Sequence, residues 1–509
     1  MTTSKRTGII DIGSNSVRLV IYDRIDESAY RVIDESKVSV RLSASIYPDG
    51  SIGSEDIGRL ARILNDFVLL CNVHKADTIR AVATAAIRNA TNGPFVIEQL
   101  LKKTGLAIEI LSGDEEARLG FLGMINATHI ADGFLIDIGG GSTEVSLFRN
   151  RKLVNSISFP FGAVNTAKHY ADGEGSMSKE SAKKLKDMIA AASKGEPWLL
   201  GHPDLPLVGL GGTIRSLCKI DQKAKKYMFP QTHHYEIAKA DLEQMAEWLP
   251  GLSAKQREKV DGLSDERADI IVPGLLILHS LFEYIGASRL IVSGAGLRDG
   301  LFHETAFPDK PMRMNVLAES SRNLLVLHPA VSREHAEHVS RLAVQLFEDM
   351  GLLPVYGARV LNLLETSALL YRIGVTIHYY NYYKHTFYLI INSRIEGLSH
   401  RESVLCALIA SFQSRSRARS MMTPYKELLT EEDLELVYRL GSLVSLAAAL
   451  DRSETQHIET IRARIDQQTL QLQWQGRPEP TIELKQVDRI SGEFKKCWGL
   501  RITWGLPSI

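Results

Sequence analysis

The stretch GIIDIGSNSVRLVIYD, Gly8 to Asp23, is written nearly again as GFLIDIGGGSTEVSLF, Gly133 to Phe148. Each copy is an apolar run, then Asp-Ile-Gly, then a short loop of small polar residues, then a second apolar run. Runs rich in Val and Ile, broken by turn residues, predict strands joined as hairpins. Asp11 and Asp137 hold matching places, 126 residues apart, a plausible length for one lobe. The segments after the two copies also match. After the first come the strand YRVIDESKVSV and a helix with apolar Ile57, Leu60, Ile63, Leu64 and Phe67. Then come the strand TIRAVAT, the helix VIEQLLKKTG stopped at Gly105, and the strand AIEILS. After the second come KLVNSISFP, helices, the strand PLVGLGG, more helices and the strand SRLIVSGAG. The expectation is an α/β fold with a duplicated lobe, each lobe offering one loop to a shared cleft.

The segment AFPDKPMRMN, residues 306–315, has two prolines and no periodicity, and reads as a linker. Beyond it the chain is helical to about Asp451, with a stripe of Leu361, Leu364 and Ala368. TLQLQWQ then alternates, with Leu470, Leu472 and Trp474 on one face; with TIELKQ and GLRITW it predicts a small antiparallel sheet with one wet face. The expected domains are lobe one over 1–127, lobe two over 128–305, an all-α module over 316–451 and a small C-terminal domain over 452–509.

Composition narrows the function. The 509 residues carry 60 Lys plus Arg against 60 Asp plus Glu, so no global charge marks a nucleic-acid binder or a membrane-surface protein. No apolar run reaches the length of a membrane span. Cys71, Cys218, Cys406 and Cys497 are scattered without CxxC spacing, as in a protein with reduced thiols. MTTSKRTGIIDIG leads straight into a strand pattern, without the apolar stretch of a signal peptide. A cytoplasmic protein is expected.

The two loops carry the chemistry. Gly13, Ser14, Asn15 and Ser16 form one; Gly139, Gly140, Gly141, Ser142 and Thr143 form the other. Glycine lets successive backbone N–H groups converge into an anion nest, suited to phosphate. Single glycine turns are common in hairpins, but two in matching places, each behind an aspartate, point to phosphate. Asp11 and Asp137 beside phosphate would repel it unless a cation lay between, which implies Mg2+. Gly211, Gly212 and Thr213 of GLGGT, and the SGAGLRDG loop, also end strands and precede helices, where phosphate can meet a helix N-terminus.

In ILSGDEEARLGFLG, Ser112 and Glu115 fit a capping box, which puts Glu116 in the first helical turn. Gly120 and Gly123 share its face. Such a face serves either close packing of another element or room for substrate beside the carboxylate. VATAAIRNATNGPF opens from a strand into a loop with Arg88, Asn89 and Asn92, and a guanidinium suits phosphate. SFQSRSRARSMMTPYK brings Arg415, Arg417, Arg419 and Lys426 together, as a track for polyanion or as a solvated loop.

Together, DIGSNSVRLV, ATAAIRNATN, SGDEEARLGFLG, LIDIGGGSTEV, GLGGT and LIVSGAGLRDGL resemble the exopolyphosphatase and guanosine pentaphosphate phosphohydrolase family. That family belongs to the superfamily of sugar kinases, heat-shock chaperones and actin. The resemblance implies two ribonuclease-H-like (actin-like) lobes around a cleft, then an all-α HD-like module and a small C-terminal α+β domain. It implies Glu116 as catalytic base and Arg88 on the phosphate chain. It also implies that Asp137, Gly139 to Gly141 and Ser142 hold metal and phosphates, with Glu144 a further metal candidate beside Asp11. The expected activity is hydrolysis of the terminal phosphoanhydride of inorganic polyphosphate. The alternatives are guanosine pentaphosphate as substrate, an ATP-dependent kinase or actin-like switch, and a non-catalytic polyphosphate scaffold. A homodimer that binds no nucleic acid is expected. In the helical module, Tyr371 and Arg372 stand where an HD motif places His-Asp, while His338, His378 and His385 remain. That module is therefore expected to hold no metal.

Overall fold

The computed structural model describes residues 5–27, 29–172, 176–476 and 480–504. The chain forms two compact units, Met1–Met314 and Asn315–Ile509. The break falls inside the segment expected to be a linker.

In the first unit β1 (Lys5–Ile12), β2 (Ser16–Arg24), β3 (Tyr30–Ser39), β4 (Thr78–Ala83) and β5 (Ile108–Ile110) form one sheet, ordered β3-β2-β1-β4-β5. A second sheet holds β6 (Gly133–Ile138), β7 (Thr143–Arg149), β8 (Lys152–Phe159), β9 (Leu207–Leu210), β10 (Glu236–Ala238) and β11 (Arg289–Val292), ordered β10-β11-β9-β6-β7-β8. The duplication is therefore real at the level of topology. In each sheet the Asp-Ile-Gly strand is central. It pairs antiparallel with its hairpin partner (β1 with β2, β6 with β7) and parallel with the next strand (β1 with β4, β6 with β9). The central strands are apolar because helices cover them: Ile9, Ile10, Ile12, Phe134 and Ile136 are fully buried.

The helix Ser54–Val73 buries Ile57, Leu60, Ile63, Leu64 and Phe67, the stripe read from the sequence. Gly105 ends the helix Gly93–Thr104 in the left-handed conformation, φ 69°. The tail of the second lobe returns to the first sheet. In the helix Leu297–Ala306, Phe302 stacks on Tyr22 with ring centroids 3.9 Å apart, and Glu304 meets Arg80 at 2.7 Å. This return explains Gly123, the second glycine after Glu116. A Cβ on Gly123 would lie 2.0 Å from the Gly296 carbonyl oxygen, and one on Gly300 would lie 1.9 Å from that of Leu119. Close crossing of the helices Gly113–Ile125 and Leu297–Ala306 is the reason for Gly123 and Gly300; a Cβ on Gly120 would meet only Leu210, at 3.7 Å.

The second unit is helical to Leu450 and then forms β12 (Ile458–Asp466), β13 (Thr469–Gly476) and β14 (Arg501–Trp504), ordered β12-β13-β14. Leu470 and Leu472 are buried and the glutamines that alternate with them, Gln471 and Gln473, exposed. The expected strand TIELKQ is instead the start of a helix, Thr481–Trp498. Its buried residues Glu483, Val487, Phe494 and Cys497 follow a helical period that six residues are too few to reveal. The expected antiparallel sheet also includes one parallel pair, β13 with β14. This sheet is tied to the helices: Gln345 and Asp349 accept from the Ile461 and Ala463 amides at 3.1 and 2.9 Å.

Candidate active site

The two loops share one backbone design. The Gly13 amide donates to the Ser16 carbonyl at 3.1 Å, and the Gly139 amide to the Ser142 carbonyl at 3.0 Å. The Asn15 carbonyl accepts from the amides of Val40 and Arg41; the Gly140 carbonyl accepts from those of Val164 and Asn165. The loops meet: a Cβ on Gly140 would lie 2.8 Å from Ser14 Cβ, and one on Gly141 would lie 3.0 Å from Ser14 Oγ. Between the lobes lies a cleft of about 150 Å3. Gly13 to Ser16, Gly139, Gly140, Ser142 and Gly211 to Thr213 all line it, with Asp11, Glu116, Asp137 and Glu144.

Three expected contacts fall elsewhere, and a fourth, Arg88, bonds Glu116 and is not on the cleft wall. Thr143 is fully buried and its hydroxyl donates to the Phe161 carbonyl at 2.6 Å, so it braces the loop. Gly141 lies at the contact between loops and is not on the cleft wall. The Asn92 side chain bonds the Ile52 amide and carbonyl, both at 2.9 Å, away from the cleft. Its position after Arg88 gave no hint of this, because the partner is 40 residues upstream.

Arg88 ends a one-turn helix, Ala85–Arg88, where a loop was expected. Its Nη1 donates to Glu116 Oε2 at 2.7 Å and to the Leu111 carbonyl at 2.9 Å. It grips the carboxylate expected to be the base. Glu116 itself stands where the sequence puts it. Ser112 and Glu115 complete the capping box and set the first turn of the helix Gly113–Ile125. Burial raises the Glu116 carboxyl well above the carboxylate range, and the Glu144 charge raises it further, against the opposing pull of Arg88. Burial and the neighbouring Asp137 push Glu144 up to about 7, although Ser158 donates to its Oε1 at 2.7 Å. Burial, with a contribution from Asp11, pushes Asp137 up to about 6, against Arg215.

Sequence reasoning missed the cations. Arg18, Arg215, Arg267 and Arg298 all line the cleft. Burial and then Arg298 hold both Arg18 and Arg215 down to about 10. Burial and Arg18 lower Arg267. Guanidinium groups crowded until they repel one another form a site that an anion relieves. A signal was present for three of them: each follows a glycine loop by a few residues, in GSNSVR, GGTIR and GAGLR. Arg267 has no such mark. It enters because Gly212 has no side chain: a Cβ there would lie 1.7 Å from Arg267 Nη2.

For a metal, the donor set is carboxylate and oxygen, as Mg2+ requires. Among the described residues no group of three or more His, Cys, Asp or Glu could hold an ion by itself. The arrangement instead fits an ion held by one or two carboxylates and completed by water and phosphate oxygens. Asp11 and Asp137 face the same cleft, and Asn15 Oδ1 is a buried acceptor without a partner. Arg298 lies 3.7 Å from Asp11 and shares that charge.

A family model described as the Ppx/GppA phosphatase family matches residues 20–307. The chain belongs to this family. A second model, the family's domain III, matches residues 319–488. Members are phosphoanhydride hydrolases, and so is this chain. It is 27% identical over 423 residues, 80% of this chain and 81% of the relative, to a guanosine-5'-triphosphate,3'-diphosphate pyrophosphatase of Aeromonas hydrophila. The crystal structure of a Ppx/GppA family member from Aquifex aeolicus is 27% identical, with TM-score 0.52, over 60% of this chain and 99% of that one. An exopolyphosphatase from Cytophaga hutchinsonii shares the fold at 21% identity and TM-score 0.53, over 61% of this chain and 100% of that one. The two actin-like lobes of the Ppx/GppA fold are thus the first unit, with the domain III helical module after them. No helix among the described residues is long and apolar enough to cross a membrane.

In the second unit, Arg415, Arg417 and Arg419 lie on the helix Arg415–Met422. Arg415 meets Glu435 at 3.3 Å and lies over the Tyr438 ring, and Arg419 meets Glu431 at 2.9 Å. Arg417 lies over the Tyr383 ring, 5.2 Å from its centroid. The three project from one helix, two of them already paired with carboxylates. Of the remaining histidines, His338 is buried and its Nε2 contacts the Ile458 carbonyl at 2.7 Å.

Proposed function

We propose that the cleft removes the terminal phosphate of inorganic polyphosphate, with Glu116 activating the attacking water. The observation that carries this is the placement of Glu116. It is a half-buried carboxylate of raised pKa, oriented through one oxygen by Arg88, in a cleft otherwise lined by phosphate nests and crowded arginines. A general base works best with its pKa near the working pH, and both burial and Glu144 move Glu116 that way. The loops from Gly13 and Gly139 present amides to the terminal phosphate, while Arg18, Arg215 and Arg298 offset charge along the chain. Mg2+ held by Asp11 and Asp137 would neutralise phosphate oxygens and remove the repulsion between carboxylates and substrate. No aromatic residue is among the described residues lining the cleft, which favours a bare phosphate chain over a base.

Guanosine pentaphosphate is the second reading, favoured by the likeness to the Aeromonas enzyme. The chemistry is the same and only the leaving group differs. Phosphate release from long polyphosphate and from guanosine pentaphosphate, measured side by side with Mg2+, tests the choice. A kcat/KM at least tenfold higher for the guanosine substrate would replace the first reading with the second.

A further inference from the structure

The second unit holds a cavity of about 240 Å3 that the cleft chemistry does not use. Phe412, Val444, Ala448, Ala449 and Ile490 form the apolar part of its wall, and Gln413, Ser445 and Gln486 a neutral polar part. Tyr371, Tyr379 and Tyr382 stand around it, and its charged side chains are Arg372 and Arg452, with His335 at the wall. No carboxylate among the described residues lines it. Carboxylates sit behind the wall instead. Asp451, fully buried, contacts His335 Nδ1 at 2.8 Å, and His335 Nε2 contacts the Tyr371 hydroxyl at 2.6 Å. This buried line of three groups fixes the Tyr371 ring as part of the wall. Glu454 braces Arg372 from the side. Arg452 is exposed and has no acidic partner among the described residues.

The rim is aromatic. Tyr379 is 56% exposed and Tyr380 71%, their rings edge to face with centroids 5.6 Å apart. They belong to the run IHYYNYY, residues 377–383, which the cleft does not employ. Large rings kept in water beside a cavity mark a surface that something covers.

The chemistry of the occupant follows from the lining. Free phosphate or a polyphosphate chain would satisfy the arginines but leave the apolar part of the wall and the rings against charge. A neutral aromatic molecule would fill the apolar part and leave Arg452 without an anion. A planar base joined to phosphate satisfies both: rings stack on bases, guanidinium pairs with phosphate, and an apolar pocket takes the rest. We infer that this cavity binds a nucleoside monophosphate, with its base against Tyr379 and its phosphate on Arg452 and Arg372. The inference is independent of the substrate assigned to the cleft.

The test is calorimetric titration of the full chain with AMP and with GMP at low salt, repeated with tripolyphosphate. Saturable binding of at least one mononucleotide below about 1 mM is expected. The double variant Tyr379→Ala/Arg452→Gln changes two exposed side chains and should weaken it about tenfold or more, the scale of one lost base stack. Tyr379→Phe keeps the ring and should keep the affinity. The cleft variant Arg215→Ala should leave mononucleotide binding as it was, and the double variant should leave phosphate release at the cleft as it was. Equal mononucleotide affinity in wild type and double variant would overturn the proposal, as would no saturable binding below about 1 mM. If the double variant lost tripolyphosphate binding and not nucleotide binding, the cavity would be a polyanion site and the nucleotide assignment would fall.

Discussion

At one register position the two hairpins of the first unit carry opposite charges. Asp11 on β1 faces Arg18 on β2; Asp137 on β6 faces Glu144 on β7. Directly opposed residues on neighbouring strands interact most strongly of any pair in a sheet. The same backbone, with the same loop hydrogen bond, therefore builds two different walls. In the first lobe the strand position after the loop adds a cation to the arginine cluster. In the second it adds a carboxylate whose proton is held up to about 7. Duplication preserved what backbone geometry supplies, namely the nests. Divergence at one side chain set a guanidinium on one wall and a carboxylate on the other.

The comparison breaks hardest at the metal. Excess chelator should abolish phosphate release, Mg2+ should restore it, and Asp137→Ala should raise the Mg2+ needed for rescue. Full activity in chelator would remove the cation from the acidic wall. Next in size is the base. Glu116→Gln keeps shape and removes proton-accepting power, so turnover should fall about 10²–10⁴-fold with polyphosphate binding largely kept. Turnover within a few-fold of wild type would show that Glu116 is not the base.

The cationic wall is probed by Arg18→Gln. It should raise KM for polyphosphate about tenfold and make KM less sensitive to salt, as expected for a lost charge-assisted phosphate contact. An unchanged KM would leave Arg18 as a partner of Asp11 only. The acidic wall is probed by Glu144→Gln through stability and pH. Below about pH 4.5 the Glu144 carboxyl is protonated whether folded or unfolded. Between there and about 7 the folded protein keeps a proton that the unfolded chain has released, so stability falls as pH rises through that window. Above it the penalty is complete. Without Mg2+, the variant should therefore be more stable than wild type at pH 8, on the order of 2 kcal/mol or a few degrees in Tm, and no more stable at pH 4. Parallel pH curves for the two proteins would contradict the raised pKa. The smallest effect is expected outside the lobes. Replacing Arg415, Arg417 and Arg419 with glutamine should raise KM for long polyphosphate a few-fold and leave short oligomers unaffected, if the helix takes part in holding the chain. Equal effects on long and short substrates would make it a surface helix held by Glu431 and Glu435.

Much of the site was legible because it is local. The capping box that places Glu116 needs only Ser112 and Glu115, and both nests need only the glycines and hydroxyls of one loop. Asn92 and Thr143 were misplaced for the complementary reason. An amide or hydroxyl in a phosphate-like context looks the same in sequence whether it faces the cleft or closes on Ile52 or Phe161. Gly120 and Gly123 left two meanings open, and for Gly123 only the approach of Gly296 and Gly300 chose between them.

By itself, then, the sequence determined the repeated strand–loop–strand, the glycine turns, the start of the helix carrying Glu116 and the family. Each is set by backbone stereochemistry or by side chains within a few residues of one another. Only the tertiary structure decided the charge of the cleft. Arg18, Arg215, Arg267 and Arg298 come from four separate stretches of chain, and Arg88 reaches Glu116 across 28 residues. The tertiary structure also decided that Glu144 and Asp137 hold their protons to about 7 and about 6. A pKa reports how much water has been removed and which charges stand near, and neither exists until the two lobes have closed around the same space.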